Sequence, residues 1–334
     1  EKKHELNIGA EIGFIDNRIN IEADWYTRNN FDLIGLIYTK GTGGQLAKFA
    51  NVASMKSSGV EFTVSTRNIK TKDFSWNTDF IFSHTKNEVT DLQSNASVMD
   101  MISGNGFAME GYPVRALFSM DFQGLNENGY PTFINEKGQL TVSDINFQEQ
   151  LKKDHLVYEG PTDPTMTGSL GNIFRYKGFT LNAFITYSFG NVIRLDPVFH
   201  NVYSDLDAMP REFINRWTTG GDEKVTNVPV IADKRANQQD PYLSYAYNAY
   251  NYSTERIAKG DFIRMKELSL SYNFPKKMIS RLKVNDLSLK IQATNLFLIY
   301  SDKKLNGQDP EFFNTGGVAS PVPRQFTLTL RLGI

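Results

Sequence analysis

The feature that most constrains this chain is strict alternation of apolar and polar residues, repeated in segment after segment. Near the C-terminus Phe326, Leu328, Leu330, Leu332 and Ile334 alternate with Gln325, Thr327, Thr329, Arg331 and Gly333. Leu287, Leu289, Ile291 and Ala293 alternate with Ser288, Lys290, Gln292 and Thr294, and Leu268, Leu270, Tyr272 and Phe274 with Ser269, Ser271 and Asn273. Successive side chains of a strand point to opposite faces, so a period of two marks a strand with one apolar and one polar face. The same pattern runs through Phe179 to Phe189, Leu6 to Phe14, Ile19 to Trp25, Val60 to Val64 and Phe74 to Phe82. The chain reads as all-β, with about ten strands by this criterion.

Alternation alone does not say what lies against the apolar face. Mean hydropathy is -0.38, and no apolar run approaches the ~20 residues of a membrane-spanning helix. A transmembrane β-barrel has the same appearance, because lipid-facing and lumen-facing residues alternate along each strand. The connections favour the barrel. Short ones (16–17, 68–73, 177–178) alternate with long ones (31–56, 122–167, 192–260, 299–323), the asymmetry of periplasmic turns and extracellular loops. On this reading Glu11, Glu22, Asp24, Glu61, Arg67, Asp79, Lys290 and Arg331 face a hydrated lumen. Trp25, Tyr26, Trp76, Tyr176, Tyr187 and Tyr272 supply interfacial girdles. Arg264 shares parity with Leu268, which predicts a lipid-facing arginine snorkelling at the rim. Counting strand directions inward from both ends leaves two consecutive strands running the same way around 112–121. That predicts one further strand in 93–111, where Val98, Met99, Met101 and Ile102 stand.

Composition narrows the chemistry. With 36 basic and 37 acidic residues, the net charge of -1 gives no drive toward nucleic acid. Cysteine is absent, which excludes disulfides, thiolate metal sites and cysteine nucleophiles. His84, His155 and His200 have no neighbouring serine or paired carboxylates in a triad pattern. Asn126-Glu127-Asn128-Gly129 lacks the spacing of a calcium loop and reads as a turn. Gly41-Thr42-Gly43-Gly44 has no strand-to-helix context for phosphate. The expectation is a protein that is not an enzyme and carries no cofactor and no metal. Glu1 opens the chain without Met or an export signal, so the expectation is a processed chain or a part of a longer one.

A set of ordered motifs adds to this. Gly260-Asp261-Phe262-Ile263-Arg264-Met265-Lys266 followed by Leu268-Ser269-Leu270-Ser271-Tyr272-Asn273-Phe274-Pro275 resembles the late-barrel signature of the SusC/RagA family of TonB-dependent transporters. So do Asn295-Leu296-Phe297 and Asp309-Pro310-Glu311. Near the start, Asp24-Trp25-Tyr26, Asp32-Leu33-Ile34 and Ser58-Gly59-Val60-Glu61 are similar to that family's strands, and Gly111-Tyr112-Pro113-Val114 with Gly124-Leu125 fit its middle. The chain departs from the family pattern in ending on Ile334 rather than Phe. The resemblance implies a transmembrane antiparallel β-barrel of about 22 strands. Residues 1–334 would supply about eleven C-terminal ones, with the plug and first half of the barrel outside the chain. It implies a Gram-negative outer-membrane location and TonB-dependent import of an oligosaccharide or peptide. The implied partners are a SusD-like surface lipoprotein, the TonB complex through the plug, the N-terminal part of the barrel, and membrane lipid or lipopolysaccharide. Two other readings stay open: an iron-chelate transporter without a lipoprotein, and a soluble glycan-binding β-sandwich.

The candidate ligand residues lie in the connection 192–260. Tyr242, Tyr245, Tyr247, Tyr250 and Tyr252, interleaved with Asn248 and Asn251, offer ring faces and amides suited to sugar rings or peptide groups. Arg216 and Trp217, at the end of a helix expected over Asp205 to Trp217, are further candidates. The competing reading for all of them is packing within the loop.

Overall fold

The computed structural model describes residues 1–38, 43–44, 47–93, 96–103, 106–199, 211–280, 284–312 and 323–333. Four long strands come first: β1 (Lys2–Phe14), β2 (Ile19–Tyr38), β3 (Ala47–Lys70) and β4 (Phe74–Leu92). A long connection then holds α1 (Val98–Ile102), β5 (Ala116–Met120), β6 (Phe122–Leu125), β7 (Pro131–Ile134), β8 (Leu140–Thr141) and β9 (Leu156–Pro161). Strands β10 (Met166–Tyr176) and β11 (Phe179–Phe189) follow, then a second long connection with β12 (Val192–Arg194), α2 (Lys234–Gln239), α3 (Leu243–Asn251) and β13 (Ile257–Lys259). The chain closes with β14 (Phe262–Asn273), α4 (Lys276–Ile279), β15 (Asp286–Ser301) and β16 (Gln325–Gly333).

Nine of these strands form one antiparallel sheet in the order β1-β2-β3-β4-β10-β11-β14-β15-β16. The sheet is open, with β1 and β16 at its edges. Cross-strand partners share a face, so the register shows what each face carries. One row runs Ile12, Ile21, Val64, Phe80, Leu170, Ile185, Met265, Phe297 across eight strands. A second runs Leu181, Leu270, Ile291, Leu328 to the far edge. The opposite face carries Asp24, Glu61, Ser83, Thr167 and Ser188 in one row and Ser271, Lys290 and Thr329 in another. The predicted alternation thus becomes two chemically distinct surfaces. The polar set Glu11, Glu22, Asp24, Glu61, Arg67, Asp79, Lys290 and Arg331 falls on one of them.

The sheet explains the strand-direction conflict differently from the sequence reading. Strand β4 pairs directly with β10, Phe74 opposite Tyr176, and the whole of 93–165 lies between them as a connection. Residues 98–102 form helix α1, whose Ser97 and Asp100 make a reciprocal capping box. Ala116–Met120 pairs with β9 outside the main sheet. No extra strand is needed: removing one strand restores alternation as well as adding one. The described part of the sheet therefore has nine strands, not about eleven.

The boundaries of the first long connection also shift. Strands β2, β3 and β4 have 20, 24 and 19 residues, well beyond the ~9–11 a tilted strand needs to cross a bilayer. The β2–β3 ladder continues past a bulge at Asp32 to Tyr38 opposite Ala47. Much of 31–56 is paired strand.

Bulges also correct the expectation for Arg264. Between Met265 and Glu267 the register of β14 against β15 slips, with Asn295 in the left-handed conformation on the partner strand. Leu268, Leu270 and Tyr272 lie on the apolar face as even positions, and beyond the slip Met265 and Ile263 take it over. Arg264 therefore sits on the polar face, pairing with Thr186, and is 4 % exposed. Its guanidinium bonds Asp309 and reaches Glu311 at 2.9 Å. Tyr26 is corrected likewise: it belongs to the polar face, its ring lies against Gly59, and its hydroxyl meets Thr85 Oγ1 at 2.8 Å. A Cβ at Gly59 would fall 2.6 Å from that ring, so the glycine makes room for the tyrosine. The other girdle candidates, Trp25, Trp76, Tyr176, Tyr187 and Tyr272, remain on the apolar face.

The connections segregate by length. At one end of the sheet are 15–18, 71–73, 177–178 and 274–285, and at the other 39–46, 93–165, 190–261 and 302–324. The two longest fold together around one core containing Val98, Met101, Ile102, Phe118, Phe133, Phe199, Leu243 and Tyr250. Ile193, Leu195, Ala258 and Leu305 form a smaller cluster that brings in the last connection. This loop domain holds most of the buried apolar residues; the sheet holds most of the exposed ones.

Candidate ligand-binding face of the loop domain

Helix α3 places the tyrosine tract. Leu243, Ala246, Tyr247, Tyr250 and Asn251 recur at helical spacing and are all buried. The tract is a helix, so only part of its tyrosines can face outward. Tyr250 is 1 % exposed, edge-on to Phe122 and Phe199 with centroids 5.5 and 5.4 Å away. Tyr247 donates to Val230 O at 2.6 Å. Asn251 clasps a neighbouring segment, accepting from the amides of Val198 and Phe199 and donating to Phe199 O. The structure places Tyr247 and Tyr250 in the core, where their rings serve packing.

Tyr242 and Tyr245 emerge on the outer side, 61 % and 44 % exposed, with ring centroids 5.7 Å apart. Tyr245 also lies edge-on to Phe147 at 5.9 Å. The helix start beneath them is fixed by Asp240, which accepts from the Tyr242 amide and the Ser143 hydroxyl. Ser244 is exposed and Asn248 partly so on the same helix. Tyr252 is partly buried, with the Arg194 guanidinium 5.5 Å from its ring.

Trp217 packs its ring on Gly129, where a Cβ would come within 2.5 Å, and its indole N–H donates to Glu223 at 3.1 Å. Arg216 is exposed, with one guanidinium N–H on Phe213 O at 3.1 Å. In the helix expected over Asp205 to Trp217, residues 205–210 lie outside the described residues, and Arg211–Asn215 forms a 3-10 helix. Asn126 to Gly129 is a turn: the Asn126 side chain accepts from the amides of Asn128 and Tyr130.

Below α3 lies a charged layer that the sequence reading did not single out. Arg256, 3 % exposed, pairs with Glu212 at 2.6 Å and donates to Asp196 O at 2.7 Å. Arg194 donates to Phe118 O and Ser119 Oγ. Burial pulls the Arg194 guanidinium down to about 10, with Glu159 partly opposing. Burial pushes the Glu159 carboxyl up, against a hydrogen bond from Ser119 and the charge of Arg194. Burial also pushes the Tyr250 hydroxyl well above its usual range. These groups brace the domain from within. The recess between Leu92, Met101, Phe107 and Met109 is about 200 Å³, below the ~300 Å³ of a small-molecule pocket. The ring pair Tyr242–Tyr245 instead offers an open surface for stacking and hydrogen bonding.

No family model matches the chain. Among curated proteins it is 26 % identical to the TonB-dependent receptor SusC of Bacteroides thetaiotaomicron over 351 residues, covering 100 % of this chain and 32 % of that protein. It is 24 % identical to the TonB-dependent receptor P3 of Formosa agariphila over 325 residues, covering 93 % of this chain and 30 % of that one. The chain spans about a third of the length of the curated relatives it matches. Among solved structures, its fold matches a chain of the RagAB peptide transporter with a TM-score of 0.76 at 22 % identity, covering 99 % of this chain and 35 % of that one. The open-open state of the RagAB peptide importer matches at 0.75 and 20 % identity, covering 99 % and 34 %. The resemblance read from the sequence motifs recurs in these comparisons: the chain is similar in sequence to TonB-dependent receptors, SusC among them, and in fold to a chain of the RagAB transporter.

Proposed function

We propose that this chain forms the C-terminal part of a TonB-dependent outer-membrane barrel that imports an oligosaccharide or a peptide. The observation that carries the reading is the continuous apolar face of the nine-stranded sheet. Leu6, Ile8, Ile12, Phe14, Phe326, Leu328, Leu330 and Leu332 are each between 46 % and 73 % exposed. Burying such a side chain is worth about 1.5–3 kcal/mol. Eight left in water would forgo as much as the ~5–15 kcal/mol that holds a whole domain together. Lipid supplies the missing partner, and the polar face then lines a lumen. The soluble sandwich needs a second sheet on the apolar face. The other described sheets have two or three strands and belong to the connections.

On this reading the edges β1 and β16 pair with further strands to close a barrel of about 22, with a plug inside supplied by the rest of the protein. The loop domain faces outward beneath a SusD-like lipoprotein. Tyr242 and Tyr245, with Asn248 and Arg216 nearer the rim of the contact, touch the ligand. The small recess in the chain itself supports a ligand shared between lid, loops and plug. An iron-chelate substrate is the second reading, and the acidic balance of 93–165, ten acidic residues to four basic, disfavours an anionic chelate there.

The test is uptake by cells of labelled oligosaccharide and peptide libraries through the full-length receptor. TonB-dependent accumulation of one class is expected, and Tyr242→Ala with Tyr245→Ala should weaken binding roughly three- to tenfold without loss of folded protein. Accumulation that is indifferent to TonB would sink the import reading.

A further inference from the structure

The net charge of -1 conceals a separation of charge along the strand axis. The connection 93–165 has ten acidic and four basic residues. Three cations of the two longest connections are held by carboxylates: Arg115 by Asp163, Lys137 by Asp144 and Arg256 by Glu212. At the other end, every connection carries an exposed cation. Arg18 lies in the first, Lys70 and Lys72 at the second, Lys177 in the third, and Lys276 and Lys277 on α4 in the fourth. Among the described residues none of these six makes an ion pair.

Backbone bonds stitch these turns into one rim. The Arg67 amide donates to Arg18 O, the Lys177 amide to Asp73 O and the Asn273 amide to Gly178 O, at 2.8 to 2.9 Å. Immediately inside the rim, the apolar face carries aromatic rings: Trp76 stacked on Phe174 at 5.6 Å, and Phe179 tilted against Tyr272 at 4.4 Å. Lys177 Nζ sits 5.3 Å over the Tyr176 ring. Ile15 and Met278 project beside the cations, 65 % and 60 % exposed.

We propose that this rim is a binding belt for anionic phospholipid headgroups in the leaflet that meets the short connections. The proposal rests on the barrel reading above. Two features select lipid over an acidic protein. The cations are spread over four connections across the width of the sheet instead of gathered in one patch, and each lies next to side chains suited to acyl chains. Aromatic rings and isoleucine or methionine enter the hydrocarbon boundary while ammonium groups meet phosphodiesters, the arrangement an interface requires.

The test uses the full-length receptor, inserted into phosphatidylethanolamine vesicles with and without phosphatidylglycerol, extracted mildly, and its retained lipids identified by native mass spectrometry. The wild type should retain phosphatidylglycerol over phosphatidylethanolamine. Replacing Lys70, Lys72, Lys177, Lys276 and Lys277 by Gln should erase that preference, by about fivefold per cation at low ionic strength and less at high salt. The pair Lys72→Gln with Lys177→Gln, in neighbouring turns, gives a milder version that keeps most of the rim. Equal retention by wild type and variants overturns the belt. Receptor that fails to insert at all overturns the barrel reading and the belt with it; inserted receptor without headgroup preference overturns the belt alone.

Discussion

The sheet and the loop domain use apolar residues in opposite ways. In the loop domain Phe133 and Ile102 are 0 % exposed and Met101 is 1 %. In the sheet Phe326 and Leu328 are 73 % and 69 % exposed. The loop domain closes a core upon itself, as a water-soluble domain does, with short strands, small helices and braced arginines. Between its two edges the sheet satisfies its backbone internally, and it leaves its apolar side chains for an outside medium. One chain thus joins a part that carries its own solvent-excluded interior to a part that needs one supplied.

That contrast can be broken from either side. The largest effect is expected from Phe133→Ala in the full-length protein, which should cost the loop domain about 3–5 kcal/mol. Limited proteolysis should then cut within 93–165 or 190–261 while the sheet stays folded in membranes; cleavage spread equally over the sheet would show the two regions to be one cooperative unit. Leu328→Arg, at the far edge of the apolar face, should cost about 2–4 kcal/mol if that face meets the bilayer midplane. It should lower the folded, heat-modifiable fraction on a gel and leave loop-domain cleavage unchanged. The smallest effect concerns pH. The Glu159 carboxyl is raised by burial, so its favourable contribution is complete below the ordinary carboxylate pKa and is lost as pH rises through the raised value. Resistance of the loop domain to proteolysis should therefore fall across that interval in the wild type, and Glu159→Gln should flatten the dependence.

The sheet was legible because its inner portion alternates cleanly, as in Leu287 to Ala293. Beyond that band legibility ends for physical reasons. The outer parts of β2 and β3 carry Asn29, Asn30, Asp32, Asn51, Ser54 and Lys56, polar on both faces, so period two disappears although pairing continues. Val98 to Ile102 offered apolar residues without a period, and the decisive signal was the cap Ser97-x-x-Asp100. The tyrosine tract read as exposed because its residue types suit ligand contact, yet Leu243, Ala246, Tyr247, Tyr250 and Asn251 at helical spacing already divided it into an inner and an outer side. The charged layer of Arg194, Glu159 and Arg256 gave no sequence signal, since its members lie on separate segments brought together by folding.

The bulge between Met265 and Glu267 has a consequence for how β14 tolerates change. Each side of the slip keeps its own phase, so a single strand behaves as two short messages written in different reading frames. Substitutions in Leu268 to Tyr272 answer to one frame, and those in Phe262 to Met265 to the other. Loss of one residue at Lys266 would merge the frames without turning either: Glu267 would follow Met265 in strict alternation, and Arg264 would stay on the polar face with Asp309 and Glu311. Removal of one residue is therefore far better tolerated at this point than on either side of it, where it would turn part of the strand to the wrong face.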